Sequence, residues 1–257
     1  MALTLSVALI TKNEEANLAR TLRSVAWASE IVIVDCGSTD RTAEIAREFG
    51  AKFFVEEWKG FGAQKNSALA KCTGDWVLAL DADEEVSAEL AQEIQALLAG
   101  TPQHAGYFLP RRNLFLGRWI RRGGYYPDPK LRLFRCGSAQ FEERAVHETM
   151  RCSGSTGQLR GDLLHHAYAA LDSYIEHMNR YSALGAEQAI ARGKTSRSLP
   201  AFLWNVFLVP VATFKYNYFL RLGFLDGREG FLLHFYHSAY VSWKYAKAWE
   251  WGRDPHI

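Results

Sequence analysis

At 257 residues with 48% hydrophobic composition, the chain can bury a full core, as one large domain or as one domain with an appendage. Its 30 basic and 28 acidic residues leave a net charge of +2, which offers no general polyanion footprint and argues against nucleic acid as a partner. Cys36, Cys72, Cys136 and Cys152 have no Cys-x-x-Cys spacing, so neither a zinc knuckle nor a disulfide framework is indicated and a reducing cytoplasm fits best.

The opening MALTLSVALI has no basic leader and turns polar at Thr11, so it reads as a first strand, Leu5 to Ile10, rather than a signal peptide. Asn13 is placed as the N-cap of a helix that carries Leu18, Leu22 and Val25 on one face. A second strand, Ile31 to Val34, leads through residues 35–40 into a helix that ends at Phe49 before Gly50. Lys52 to Val55 makes a third strand and Phe61 to Cys72 another helix, with Gly74 marking the turn into a fourth strand, Trp76 to Leu80. Such alternation predicts right-handed crossovers and a mainly parallel sheet covered on both faces, an α/β fold that binds ligands at its strand C-termini.

Between Arg111 and Arg135, arginines and lysines interleave with aromatic residues. Arginine forks match phosphate and aromatic faces stack on sugar rings, so the stretch suits an anionic glycan acceptor, with Arg132 among its contacts. The alternative is a two-strand ribbon with a charged outer face. Asp172 is expected to cap a helix running to Arg192 and closed by Gly193. Beyond it the chain turns aromatic: sixteen of its 34 aromatic residues lie between Phe202 and Trp251. The run Leu199 to Phe214 is sixteen residues long and interrupted by Pro200, Asn205 and Pro210, too short for a bilayer span of roughly twenty. Flanked by Lys194, Arg197, Lys215 and Arg221, it is expected to lie among lipid headgroups; a packed helical pair or a self-association surface is the alternative.

Polar groups converge on the strand tips: Thr11 after the first, Asp35 after the second, Asp81 and Asp83 after the fourth, with Glu84 and Glu85 behind. An apolar strand that delivers paired carboxylates to its C-terminal tip suits a divalent metal and, through it, a phosphate. Asp-x-Asp by itself arises often by chance, and a solvated turn opening a helix is the plain alternative. Asp35 would accept hydrogen bonds from a base imide or a ribose hydroxyl, or close an Asx-turn. Lys65 would reach the same rim and offset diphosphate charge.

Together the segments LITKNEE, EIVIVDCGSTDRT, FGAQKNSALAKCTGDW and LALDADEE resemble the family 2 glycosyltransferases, inverting enzymes with the GT-A fold. YYPDPKLRLFR, the segment Ala145 to Glu148, LLHHAY and FLDGREGF are similar to the subgroup that contains lipopolysaccharide-core β-1,4-glucosyltransferases, which add glucose to an inner-core heptose. The resemblance implies that Thr11, Glu14 and Asp35 hold uracil and ribose, and that Lys65 and Asp81 approach the nucleotide. It implies Mg²⁺ or Mn²⁺ on Asp81 and Asp83, with His165 as a further ligand. Glu148 would be the catalytic base and His147 would orient acceptor or base; Glu142, Glu143 and Asp128 stay open as alternative bases. The donor implied is UDP-glucose and the acceptor a lipopolysaccharide core or other lipid-linked glycan. The enzyme would sit peripherally on the cytoplasmic face of the inner membrane. Residues 1–100 would form the nucleotide-sugar half of the GT-A domain, 101–170 the acceptor half and 171–257 a helical, membrane-associating region.

Rival readings start from the same residues. Asp-x-Asp also opens the site of haloacid-dehalogenase-type phosphohydrolases, but Glu85 at the fifth position and a location on the fourth strand fit that class poorly. A dinucleotide dehydrogenase needs a glycine-rich turn where TKNEE stands. A non-catalytic nucleotide-binding membrane adaptor is the remaining alternative.

Overall fold

The structure is a computed structural model that describes residues 3–142 and 149–253. Two compact units emerge, one built from Met1–Arg112 with Asp128–His166, the other from Asn113–Pro127 with Ala167–Ile257.

The first unit begins with the expected alternation: β1 (Leu5–Thr11), α1 (Leu18–Ser24), β2 (Glu30–Asp35), α2 (Thr42–Glu48), β3 (Lys52–Val55), α3 (Phe61–Ala70) and β4 (Trp76–Asp81). A short β5 (Glu84–Val86) and α4 (Ala88–Ala99) follow, then β6 (Gly106–Leu109). β7 (Arg111–Phe115) leads into β8 (Arg118–Trp119) in the second unit, and the first resumes with β9 (Lys130–Arg135), β10 (Ala139–Phe141), β11 (Met150–Cys152), β12 (Thr156–Gln158) and the start of β13 (Leu163–Tyr168). Among the described residues a seven-stranded sheet runs in the order β12-β6-β9-β4-β1-β2-β3. β3, β2, β1 and β4 are parallel, and β9 enters antiparallel beside β4. Strands from the 101–170 stretch therefore complete the same sheet that β1 to β4 begin.

Near-continuous apolar strands bury both faces of this sheet, as parallel sheets require. On one face Val7, Leu9, Ile33, Leu78 and Leu80 pack under Leu18 and Leu22 of α1 and Leu90, Ile94 and Leu98 of α4. On the other, Ala8, Val32, Val34 and Ala79 pack under Ala68 of α3. Register then aligns the tips: Thr11 pairs with Asp35, and Ile10 with Asp81.

Two capping expectations are corrected. Asn13 is not a cap. It takes a left-handed φ of 56°, which asparagine tolerates because its short amide bonds locally. Its Oδ1 accepts the Thr39 N–H at 2.8 Å and its own N–H donates to Ser38 Oγ at 2.7 Å, so it ties the first loop to the second, while Asn17 stands at the N-cap position of α1. Likewise Asp172 lies inside the first turn of α5 (Leu171–Ala191), where its charge complements the helix dipole, and Ala170 is the cap.

The second unit holds the hairpin of β7 and β8, paired Leu114 to Trp119, and the C-terminal helices. Phe115, Ile120, Tyr174 and Leu233 form its buried cluster, with the Phe115 and Tyr174 rings edge to face at 5.2 Å. The apolar run is longer than its sequence implies. α6 (Leu199–Phe202), a π-helical stretch Leu203–Leu208, α7 (Val209–Lys215) and a second π-helical stretch Tyr216–Leu220 join end to end: Pro200 falls in the first turn, where no amide hydrogen is required, and Pro210 follows directly on the first π-helical stretch, where the hydrogen-bond ladder already departs from α geometry. The result is 22 residues, the one helix among those described that is long and apolar enough to cross a membrane by length and composition. After a 3₁₀ turn, α8 (Gly227–Trp251) completes the unit.

On α8, His234 is 1% exposed, and among the described residues neither ring nitrogen has a hydrogen-bond partner. It is wedged where only glycine fits: a Cβ on Gly123 or Gly223 would stand 1.9 or 2.3 Å from the imidazole. Burial, aided by His237 and Arg221 and opposed by Asp226, pushes its pKa down to about 4. The folded state thus favours neutral histidine, and the stabilisation is full above pH 6.5 and lost between 6.5 and about 4 as the unfolded chain takes up the proton. The expected loss is on the order of 3 kcal/mol. Thermal unfolding across this window should flatten in His234→Gln; an unchanged slope would place the titration elsewhere.

Candidate active site

The parallel strands end in a row of polar groups. Asp35, 1% exposed, accepts four hydrogen bonds: Thr11 Oγ1 at 2.8 Å, Ser38 Oγ, and the amides of Gly37 and Ser38 at 2.8 and 2.7 Å. These occupy the roughly four lone-pair sites of a carboxylate, and Gly37, at φ 82°, supplies the left-handed turn they close. Asp35 therefore shapes the loop, and a base imide would have to displace one of these donors. Glu14 sits on the neighbouring loop, its N–H donating to Thr42 Oγ1 at 2.8 Å and its Oε2 accepting from Asn17 Nδ2 at 3.1 Å. Burial raises its pKa despite the Asn17 bond, and the negative charges of Asp83, Asp40 and Asp81 raise it further, which places Glu14 in the field of the acidic tip.

At the end of β4, Asp81 has one carboxylate oxygen on Lys65 Nζ at 2.8 Å and the other on the Arg132 guanidinium. Burial alone would raise its pKa; Arg132 and Lys65 hold it well below the usual carboxylate range. Lys65 reaches the rim from the first half of α3 and lies 5.1 Å from the centre of the Phe141 ring. Asp83, two residues on, faces His165: Oδ2 and Nε2 are 3.4 Å apart. Burial opposes its ionisation, but the hydrogen bond and charge of His165 outweigh burial and the repulsion of Asp81, and its pKa is lowered.

Beneath the tip lies a network that the sequence did not single out. Glu84, fully buried, accepts the Asp81 N–H at 3.0 Å on Oε2, and on Oε1 takes Arg132 at 2.7 Å and Arg111 at 3.1 Å. Arg111 in turn forks onto Asp128 at 2.7 and 3.0 Å. On the α1 side Glu85 accepts from His166 Nε2 at 2.8 Å, and the His166 amide bonds the Asp83 carbonyl at 3.0 Å. The doubled histidine of LLHHAY and the doubled glutamate of DADEE were the available signals: in an antiparallel pair such neighbours face opposite ways and line both sides of one tip.

Arg132 thus lies 6% exposed in the sheet with its guanidinium on Asp81 and Glu84, not on an open face. Other cations of the 111–135 stretch are also paired internally: Arg112 with Asp162, Arg118 with Glu229, Lys130 with Asp128. Of the alternative bases, Asp128 carries Arg111 and Lys130, which overcome burial to lower its pKa, and Glu142 pairs with Arg151. Glu148, His147 and Glu143 lie outside the described residues.

Does this donor set fit a metal? Among the described residues no group of three or more His, Cys, Asp or Glu is arranged to hold an ion unaided. Asp83 and His165 are close enough to reach one ion together at about 2.1 Å each. Mg²⁺-type ions typically take one or two carboxylates and complete their shell with phosphate oxygens and water, so a two-ligand tip fits a cation that arrives with a diphosphate.

The profile of glycosyl transferase family 2 matches residues 6–163, from the first strand to the start of β13. The chain belongs to that family. This glycosyltransferase is 35% identical over 237 residues to the lipopolysaccharide core biosynthesis glycosyltransferase LpsC of Rhizobium meliloti, covering 88% of this chain and 82% of the relative. An uncharacterized glycosyltransferase of Rickettsia typhi is 30% identical over 243 residues, covering 89% and 80%. Among solved structures, S. aureus TarS in complex with UDP-GlcNAc superposes with a TM-score of 0.50 at 15% identity, over 97% of this chain and 91% of that one. That likeness is one of fold. The enzyme has the GT-A architecture, a mixed sheet with flanking helices, followed by a helical C-terminal region.

Proposed function

We propose that the enzyme is an inverting, metal-dependent hexosyltransferase that moves glucose from UDP-glucose to an inner-core heptose of lipopolysaccharide or a similar lipid-linked glycan, at the cytoplasmic face of a membrane. The observation that carries the donor half is the tip of β4, where Asp83 meets His165 and Asp81 is flanked by two cations. The name of the R. meliloti relative supports the acceptor class.

When bound, Mg²⁺ or Mn²⁺ would neutralise the charge that grows on a diphosphate leaving group, so no general acid is needed there. Asp83 and His165 would hold the ion. Lys65, on Asp81 at the same rim, would add its positive charge to the field that meets the diphosphate. Arg132 and Glu84 keep Asp81 in place from below. Thr11 and Asp35 at the ends of β1 and β2, with Glu14 on the loop after β1, would meet uracil and ribose, Asp35 by exchanging one of its loop hydrogen bonds for the nucleotide. On the acceptor side, Glu148 accepts the proton of the attacking hydroxyl, with His147 orienting it, and direct displacement inverts the anomeric centre. The phosphohydrolase alternative needs Asp81 as a free nucleophile, whereas both its oxygens are held by cations.

Glu148→Gln is expected to lower kcat by about 10²–10⁴-fold with UDP affinity unchanged, since amide nitrogen cannot take the proton. Unaltered turnover would move the base elsewhere. The function itself is tested by a thermal-shift screen of nucleotide sugars with Mn²⁺, then transfer to truncated core oligosaccharides. Stabilisation by no uridine nucleotide, or hydrolysis of p-nitrophenyl phosphate alone, would refute it.

A further inference from the structure

The outer side of the helical run from Leu199 to Leu220 is one apolar stripe. Leu199, Leu203, Phe207, Val211, Lys215 and Phe219 are exposed at every fourth position, with Trp204, Leu208 and Leu220 exposed beside them. In an uninterrupted α-helix residues four apart drift by about 40°, so five such steps would carry the row through roughly 200° and round to the far side. The π-helical stretches Leu203–Leu208 and Tyr216–Leu220 wind more slowly, because each hydrogen bond closes over one more residue, and they rotate the row back. The two departures from α geometry keep a straight apolar face along 22 residues.

The inner face belongs to the protein. Ser242 Oγ of α8 donates to the Val206 carbonyl at 2.8 Å, Phe202 meets Trp249 edge to face at 5.1 Å, and Phe214 meets Phe231 at 6.0 Å. Crossing a bilayer would draw α8 in alongside, with Arg228, Glu229, Lys244, Lys247 and Glu250, at a cost of several kcal/mol for charged groups at that depth. Charge also marks the rim. From residue 192 to 228 the basic residues Arg192, Lys194, Arg197, Lys215, Arg221 and Arg228 are all exposed, whereas the one acid, Asp226, is buried and accepts the Arg122 N–H at 2.7 Å. A second copy of the chain would set these cations against their like.

We propose that this stripe lies in the plane of an anionic lipid leaflet, the helix embedded on its side to the depth of the acyl boundary and held by the cationic rim. The proposal rests on the membrane-face reading above and adds to it the orientation of the helix and the charge of the lipid. Residues such as Leu203 and Phe207 would enter the leaflet while Lys215 lifts its ammonium into the headgroups on its aliphatic stem.

The test is sedimentation of the full chain with vesicles of phosphatidylglycerol and phosphatidylcholine, against phosphatidylcholine alone. Binding is expected to the anionic vesicles, weakening with salt. Leu203→Glu combined with Phe207→Glu should weaken it at least about tenfold, and Lys215→Gln or Arg221→Gln about fivefold each, with UDP binding unchanged. Single cysteines at Leu199, Val211 and Leu220, in a background with Cys36, Cys136 and Cys152 replaced by serine, should show equal, shallow quenching by depth-resolved spin-labelled lipids. Deep quenching at Val211 with shallow ends would mean a span and overturn the proposal. So would equal binding by the stripe variant, which would leave membrane association standing through another surface. If the wild-type chain ignores all vesicles and instead dimerises through the stripe, the membrane-face reading falls as well.

Discussion

Asp83→Asn is expected to lower transfer by about 10²–10³-fold, the usual loss when one preorganised electrostatic contact to a leaving group is removed. The carboxylate stands 3.4 Å from His165 at the sheet tip, and its lowered pKa means that it is ionised at neutral pH and ready to meet a cation. The amide keeps the shape and can still meet His165, so folding should change little. Isothermal titration of Mn²⁺ with UDP should show the ion's contribution lost while UDP alone still binds. Wild-type turnover in this variant would remove Asp83 from the metal site.

The second large effect is on stability. Glu84 is fully buried with one oxygen on two guanidinium groups and the other on the Asp81 amide. Glu84→Leu removes the acid from a buried ion network and leaves cations under-neutralised, which costs about 3–5 kcal/mol. For a chain of this size that is a fall in Tm of roughly 10 °C or more. Glu84→Gln, which can still accept the Asp81 N–H, should lose less. Because Asp81 is held from below by this residue, both variants should also raise the KM for donor. An unchanged melting curve for the leucine variant would show that Asp128 and Asp81 suffice to balance the two arginines.

Much of the first unit was legible in the sequence. Runs such as IVIV and WVLAL, too short for helices and bounded by polar turns, required buried strands, and helical spacing between them required crossovers. A parallel sheet has to bring its strand ends to one edge, so the sequence alone puts Thr11, Asp35 and Asp81 together, and the register agrees. Local chemistry was less legible. Asn13 reads as a cap because asparagine favours caps, but the fold uses its other tolerance, for left-handed backbone, to bridge two loops. The apolar C-terminal run reads as broken at its prolines, yet Pro200 sits in the first turn, where no amide donor is needed, Pro210 follows a π-helical stretch, and neighbouring α8 supports the continuous run.

Periodicity, turn chemistry and spacing by themselves determined the α/β layering, the acidic tip of the fourth strand and the apolar character of the C-terminal third. Only the tertiary structure decided the pairing of charges. Arg132 is 51 residues from Asp81 in sequence, and it arrives there because β9 inserts antiparallel beside β4 in a particular register. Read from the chain, its guanidinium belonged to an outward basic stretch; in the sheet it lies under the site. Side-chain periodicity tells which face of a strand is buried, but strand order and register, set by packing over the whole sheet, choose the partner that a buried charge must find.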